Sequence, residues 1–263
     1  MTLNTLVGTF DLEPEWATLP IKYSFDLWDN EFKREILATQ RYLDHCEEFS
    51  HRVTFFVVGL FAKAVPNLIK EISDRGHEIA SHSLTHPDLA LLPHDQFYHE
   101  AYTSKVMLED LIGKEIKGFR APSFSITYDQ LHILDGIGYK YDSSVSSAKR
   151  LHGGKVCIEN LATSPIKILK FDGLKFGERE FTVLGGGYLR IIPTFILKKL
   201  EQKNLGNMYY VHPHDFYSMN VNYTHFNAKE NILRRVAIGS TLKKIQYLHE
   251  EFNIIRADEY FSL

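Results

Sequence analysis

Over most of the 263-residue chain, short runs in which apolar residues alternate or cluster are separated by longer stretches whose apolar positions return every three or four residues. The first pattern is the period of a strand and the second that of a helix. "TLVGTFDL" (5–12) and "VTFFVVG" (53–59) are rich in Val, Phe and Thr and bounded by glycine or charge, which predicts strands. Between them, from about residue 30 to 48, Phe32, Ile36, Leu37, Tyr42 and Leu43 recur at helical spacing. "FAKAVPNLIKEISDRGHEIASHS" (61–83) repeats the theme as helix, a stop at Gly76 and a strand.

The same alternation continues through "HDQFYHEAYTSKVMLEDLIG" (94–113), a helix closed by Gly113, and "KGFRAPSF" (117–124), a strand end. "TYDQLHILDGIG" (127–138) predicts a helix that Thr127 can cap, and "YKYDSSV" (139–145) another strand. From 146 to 190 the regularity breaks, leaving "IKILKFDG" and "EFTVLGGGYLR" as strands among glycines. "PTFILKKLEQKNLG" predicts a helix with Pro193 at its start and Gly206 at its end, and "NMYYVHPHDF" a strand. A last helix, about 228–249, precedes the strand "NIIRADEY". Strands alternating with helices imply an α/β fold with a parallel sheet covered on its outside, and seven or eight strands suit a barrel. With no repeat, linker or low-complexity tract, the pattern reads as one domain, 1–263.

The composition, 44% hydrophobic and 24% charged, is that of a globular chain. A formal net charge of −3 gives no electrostatic footprint for nucleic acid or an anionic membrane. Cys46 and Cys157 are the only cysteines and lie in unlike contexts, which argues against a disulfide framework or a thiolate metal site. No stretch approaches eighteen apolar residues, and acidic residues appear within the first fifteen positions, so the expectation is a cytoplasmic chain without a transmembrane segment.

In α/β sheets ligands gather where strands end at their carboxyl side. The polar residues there are Asp11 and Glu13 after the first strand, His82 and His86 after the third, Arg120 after the fourth, Asp142 after the fifth, and His212 with Asp215 late in the chain. Hydrolytic zinc takes three protein ligands of His and carboxylate type and keeps one position open for water. His82 and His86, four apart, face together if "HSLTH" forms a helical turn, and one carboxylate completes such a set. Asp11 and Glu13 share a strand face while Leu12 turns to the core, so one can hold a metal as the other takes a proton. His212 and His214 also share a face, and spacing does not choose between them as a proton donor. His94, His99, His132, His152, His225 and His249 fall on helix or loop patterns and read as solvated.

With these segments in order, the sequence resembles the NodB-type polysaccharide deacetylase family, carbohydrate esterase family 4. "SHSLTHPDL" matches its H-[ST]-x-x-H-P motif, "TFDLE" its first motif, "FRAPSFS" its arginine motif, "YDSSV" its fourth motif and "YYVHPHDF" its histidine motif, over roughly residues 5–217. "GGGYLRIIP" (185–193) is similar to a subgroup associated with exopolysaccharide and surface-glycan loci. The resemblance implies a distorted (β/α) barrel of about seven strands and a divalent metal, Zn2+ or else Co2+, Ni2+ or Mn2+. It further implies removal of an N-acetyl or N-formyl group from an amino sugar in a glycan or glycan precursor of the bacterial surface.

Carried onto this chain, Glu13, His82 and His86 hold the metal, Asp11 is the base, Arg120 pairs with Asp11, and His212 is the acid. Asp142 orients His212 or binds the acetyl side of the metal site. Gly186 lets backbone approach a sugar, Tyr188 stacks on a ring, Arg190 reaches a hydroxyl, carboxylate or phosphate, and Tyr188 or Phe124 rebuilds the acetyl-pocket wall. The chain departs from the family pattern at three places: Leu12 stands where a second aspartate is usual, Ser123 where a tyrosine is, and motif four has no tryptophan. Those departures support an alternative, a catalytically silent relative that binds a glycan or sugar nucleotide or assists assembly.

Overall fold

The computed structural model describes residues 4–14, 17, 32–146, 163–172, 174–176, 179–181, 183–201, 206–217 and 236–263. Its centre is a parallel sheet curled into a half-barrel, an α/β architecture of the distorted (β/α) barrel type. The strands are β1 (Asn4–Leu12), β2 (Thr54–Val57), β3 (Glu78–Ser81), β4 (Gly118–Phe119), β5 (Tyr141–Asp142) and β6 (Lys167–Ile168), with β9 (Met208–Val211) on the other side of β1. Those seven follow the order β9-β1-β2-β3-β4-β5-β6. An eighth, β10 (Phe252–Ile255), runs beside Asn4–Val7 of β1, below the point where Thr9–Leu12 pair with β2. Thr9 and Phe10 pair with β2 and β9 at once, and Val7 with β9 and β10, so β2 and β10 share one edge of β1 in succession. Gly8 sits at that junction, where a Cβ would lie 2.6 Å from Val53 and 2.7 Å from Ile254. Only glycine lets the three strands meet there.

Most of β1 is buried on both faces, as a central parallel strand must be. Phe10 points outward and packs on Tyr42 of α1 (Lys33–Glu48), ring centroids 4.9 Å apart, and on Phe55. Thr9 and Asp11 point inward. The outer layer continues with α2 (Gly59–Ala64), α3 (Pro66–Asp74, Pro66 in its first turn), α4 (His94–Ile112) and α5 (Tyr128–Ile137). Gly113 closes α4 with φ +66, and Thr127 and Gln130 form a reciprocal capping box at the start of α5.

Three elements differ from the sequence reading. "HSLTH" is an irregular turn in which Ser83 and His86 take positive φ, 63 and 65, and it contains no helix. "EFTVLGGGYLR" divides: β8 (Arg179–Phe181) makes a small antiparallel hairpin with β7 (Leu174–Phe176), Gly185 bridges Tyr210, and α6 (Gly186–Ile191) begins at once, burying Leu189 and Arg190. After α7 (Thr194–Glu201), the described last long helix is α8 (Thr241–Glu251), and the part expected over 228–235 lies outside the described residues, as does Cys157. The chain ends in α9 (Ala257–Tyr260), packed against β1. No helix among the described residues is long and apolar enough to cross a membrane.

Candidate metal centre

The carboxyl ends of β1, β3, β4 and β9 open on one region, and the side chains there form a connected polar set. β1 carries Asp11 on its inner face and delivers Glu13 one residue past its end; both are buried, 3% and 4% exposed. His82 follows β3 directly, its N–H donating to the Val57 carbonyl of β2. The turn after it is held from outside by Glu100 of α4. That carboxylate accepts from the backbone N–H of Leu84 and Thr85, both at 2.9 Å, and from the Thr85 hydroxyl at 2.7 Å. Ser83 Oγ accepts from the His86 N–H. These bonds keep His86 in its left-handed backbone conformation, a form rare outside glycine, and so turn its ring back toward His82, the two rings 5.2 Å apart.

Glu13, His82 and His86 therefore converge, each offering one ligand atom within 4.8 Å of the others. Glu13 Oε2 is 2.7 Å from His86 Nε2 and 3.5 Å from His82 Nε2. His82 Nδ1 lies 2.7 Å from the Arg120 carbonyl, which only accepts, so Nδ1 carries a proton and Nε2 is the nitrogen that faces Glu13. Backbone orientation of the far nitrogen is how metal-binding imidazoles are held. Burial works against a charged Glu13, but the His86 and His82 imidazoles outweigh it and hold the carboxyl well below its usual range. Two imidazoles and one buried carboxylate are the donor set that suits zinc or a neighbouring divalent transition ion.

Arg120 is buried inside the barrel and fully bonded. Nη1 donates to Asp11 Oδ1 at 2.6 Å and Thr9 Oγ1 at 3.0 Å, Nη2 to Ser143 Oγ at 2.8 Å, and Nε to the Ser143 carbonyl. Its guanidinium lies 4.0 Å above the Phe56 ring. The expected pairing of Arg120 with Asp11 is thus present, and Asp11 Oδ2 faces His212 Nε2 at 4.0 Å.

His212 follows β9 and begins a short helical turn, Pro213–Asp215, whose last residue folds back on it. Asp215 Oδ2 accepts the His212 N–H at 2.9 Å and stands 3.1 Å from His212 Nδ1. Burial opposes a charged imidazole here, yet the hydrogen bond to Asp215 and the charges of Glu13, Asp215 and Asp11 raise His212 to about 9. His214 stacks on it, ring centroids 4.5 Å apart, and burial beside His212 pushes His214 down to about 3. The two histidines that spacing left equivalent are pushed in opposite directions, His212 toward the protonated form and His214 toward the neutral one.

Several expected site residues lie elsewhere. Asp142 does not meet His212: it accepts from Ser144 N–H at 2.9 Å and Ser144 Oγ–H at 2.6 Å, and Ser144 Oγ in turn accepts from Ala121 N–H at 2.7 Å. Burial raises its carboxyl to about 6, and its place is a strut under the backbone that carries Arg120. Arg190, expected to reach a sugar, is 3% exposed and points inward, its Nε 3.0 Å from Asp215 Oδ1. Phe124 is buried, its ring 5.2 Å from that of Tyr210 and 5.4 Å from the Arg120 guanidinium, so it backs the site. Gly186, with φ +43, lies against the edge of His212, where a Cβ would come within 3.2 Å of Cε1. Tyr188, two residues on, is 67% exposed at the rim. His249, read as solvated, is buried with its Nε2 on Tyr209 Oη at 2.8 Å. Sequence reasoning missed Thr9, Ser143 and Glu100; Thr9, two residues before Asp11 on the same strand face, carried a usable signal, whereas Glu100 looks like any charge on a helix.

A family model described as polysaccharide deacetylase matches residues 25–141, which include His82, His86 and Arg120. A second, a domain of unknown function (DUF3473), matches 149–262, which include Gly186, Arg190, His212 and Asp215. Asp11 and Glu13 precede both. A peptidoglycan-N-acetylglucosamine deacetylase of Bacillus cereus is 32% identical over 93 residues, 35% of this chain and 34% of that protein. The match thus spans about a third of the relative's length. Among solved structures, a polysaccharide deacetylase described as putative from Mycobacterium smegmatis superposes with TM-score 0.62 at 17% identity, over 97% of this chain and 86% of that one. A carbohydrate esterase family 4 pseudoenzyme from Bacillus anthracis superposes with TM-score 0.54 at 15% identity, over 98% and 65%. At such identities the superpositions speak for the fold alone, and they agree with the curled parallel sheet described above. Motifs, family match and fold coincide, and the chain belongs to the NodB-type polysaccharide deacetylase family, carbohydrate esterase family 4.

Proposed function

We propose that the protein is a metal-dependent hydrolase that removes an N-acetyl, or N-formyl, group from an amino sugar in bacterial surface-polysaccharide biosynthesis. The observation that carries this reading is the placement of an arginine-held carboxylate, Asp11, between the Glu13–His82–His86 cluster and a histidine raised to about 9, His212. Base, ligand set and acid are the three parts that amide hydrolysis of this kind needs. We further read 1–263 as one domain, a reading supported by β9 and β10, from the second matched segment, pairing with β1.

A divalent ion on Glu13, His82 and His86 would polarise the acyl oxygen and acidify the attacking water. Asp11, held in place by Arg120, takes the proton of that water through Oδ2, the oxygen that Arg120 leaves open to the site. His212 gives its proton from Nε2 to the departing nitrogen, because an amine does not leave readily as an anion. Its Nδ1 stays on Asp215 throughout. Tyr188, exposed at the rim, offers a face for a sugar ring.

The catalytically silent alternative has its support in Leu12, which stands where an aspartate is usual, and in a fourth motif without tryptophan. Against it stands Glu13, whose carboxylate makes good the missing ligand atom. The test is acetate release from N-acetylglucosamine oligomers by zinc-loaded protein. The hydrolase reading expects multiple turnovers and a loss of at least about 100-fold in His86→Ala. Glycan binding with no acetate release would establish the silent reading instead.

A further inference from the structure

We propose that Arg190, in the segment matched to the domain of unknown function, is a positioning residue for the proton donor His212, acting through Asp215. The inference rests on the hydrolase reading above. Metal ligands, base and Arg120 all come from residues before 121, and the acid side of the site comes entirely from 186–244.

The geometry is a buried chain of three groups. Arg190 Nε stands 3.0 Å from Asp215 Oδ1, while Asp215 Oδ2 takes the backbone N–H of His212 at 2.9 Å and faces Nδ1 at 3.1 Å. Oδ2 thus carries both contacts to His212 while Oδ1 faces the guanidinium as an ion pair, and Asp215, 0% exposed, has no solvent to compensate for losing either. A carboxylate on Nδ1 keeps a proton there, so Nε2, the nitrogen aimed at Asp11, is the one that exchanges a proton with the site.

The strut itself is fixed from α8. Thr241 Oγ1 donates to the Asp215 carbonyl at 2.7 Å, Ser240 Oγ donates to the Arg190 carbonyl at 2.9 Å, and Lys244 Nζ donates to that same carbonyl. α6 contributes twice, since Gly186 at its head rests against the His212 ring and Arg190 in its last turn holds Asp215. An arginine used for sugar recognition would expose its guanidinium. This one is spent inside.

A positioning role separates from a merely structural one by leaving group. An amide nitrogen must be protonated to depart, whereas a 4-nitrophenolate leaves unaided. Zinc-loaded wild type, Arg190→Met, Arg190→Lys and Asp215→Asn are compared on N-acetylglucosamine oligomers and on 4-nitrophenyl acetate, with melting curves and zinc content for each. We expect Arg190→Met and Asp215→Asn to lose about 10- to 100-fold in kcat on the oligomer with KM little changed, to stay within about threefold of wild type on the ester, and Arg190→Lys to recover part of the loss. A parallel fall on both substrates, or no fall on the oligomer in variants that still melt cooperatively, overturns the assignment. If Arg190→Met does not fold, Asp215→Asn and Arg190→Lys decide by the same ratio of the two rates. A wild type that turns over neither substrate overturns the hydrolase reading and this assignment with it.

Discussion

Arg120 shows how much a single buried residue can determine. A guanidinium taken out of water needs its donors satisfied and its charge balanced, and here Thr9 and Asp11 of β1 and Ser143 just past β5 do so, with Phe56 beneath. The Asp11 carboxylate is thereby fixed by a group that also ties the barrel together. Arg120→Met is expected to cost roughly 3–5 kcal/mol of folding free energy, because it strands the Asp11 charge. Urea denaturation measures this, and a change below about 1 kcal/mol would show the pair to be an incidental contact. The Asp11–Arg120 pairing was legible in the sequence through the family resemblance, with the two residues at the carboxyl ends of β1 and β4. The partners of Asp142 and Arg190 were not. Each has a carboxylate or guanidinium that several distant groups could have met, and which one it meets depends on loop paths, such as the immediate turn into α6, that no periodicity encodes.

At the level of elements, the turn after β3 is the part most dependent on a neighbour. The spacing of His82 and His86 correctly brought two imidazoles together, but by helical logic, whereas the chain uses two left-handed residues and a clasp from α4. Four-residue spacing is compatible with more than one turn, and the carboxylate that selects this one, Glu100, lies fifteen residues beyond Thr85. Glu100→Gln keeps a side-chain acceptor but loses charge, so the turn loosens without a cavity. Zinc affinity should fall by about 10- to 100-fold, as for other outer-shell supports, with the far-UV spectrum unchanged. Calorimetric titration checks it; an unaltered dissociation constant would mean that the turn holds its shape without the clasp. Helix-forming segments were the most legible elements, because α4 and α5 carry their own stop and cap signals in Gly113 and Thr127.

Taken as a whole molecule, the protein closes its sheet with strands from opposite ends of the chain. Alternating strand and helix patterns made a parallel α/β sheet readable, and β9 and β10 readable as strands. Their places beside β1 were not, since pairing over some two hundred residues leaves no local trace. That outer closure also buries two neutral histidines. Burial, with the charges of Arg52, Arg75 and Arg256, lowers His77 to about 3, and burial with His45 and His51 nearby lowers His249 to about 2. Both fall below the unfolded value of about 6.5. Between those limits the unfolded chain binds more protons than the native one, so stability is full above pH ~6.5 and declines as pH falls, by about 1.4 kcal/mol per pH unit for each group. Glu78 and Asp142, raised by burial to about 7 and about 6, act in the opposite sense over the same range, so the readout is the difference in denaturant midpoint between wild type and His249→Gln from pH 7.5 down to 4.5, in which wild type should lose more stability than the variant. A difference that does not change with pH would mean that the His249 ring already takes up a proton in the folded protein.

The proposed function depends on one juxtaposition, a carboxylate just past β1 and two imidazoles around the turn after β3, placed so that they could hold a single cation. The direct measurement is an anomalous difference map at the zinc absorption edge from crystals grown with zinc. One peak bounded by Glu13, His82 Nε2 and His86 Nε2 is the result expected. No peak there, or a peak on His212, His214 and Asp215, the other described group able to hold an ion, would contradict the account.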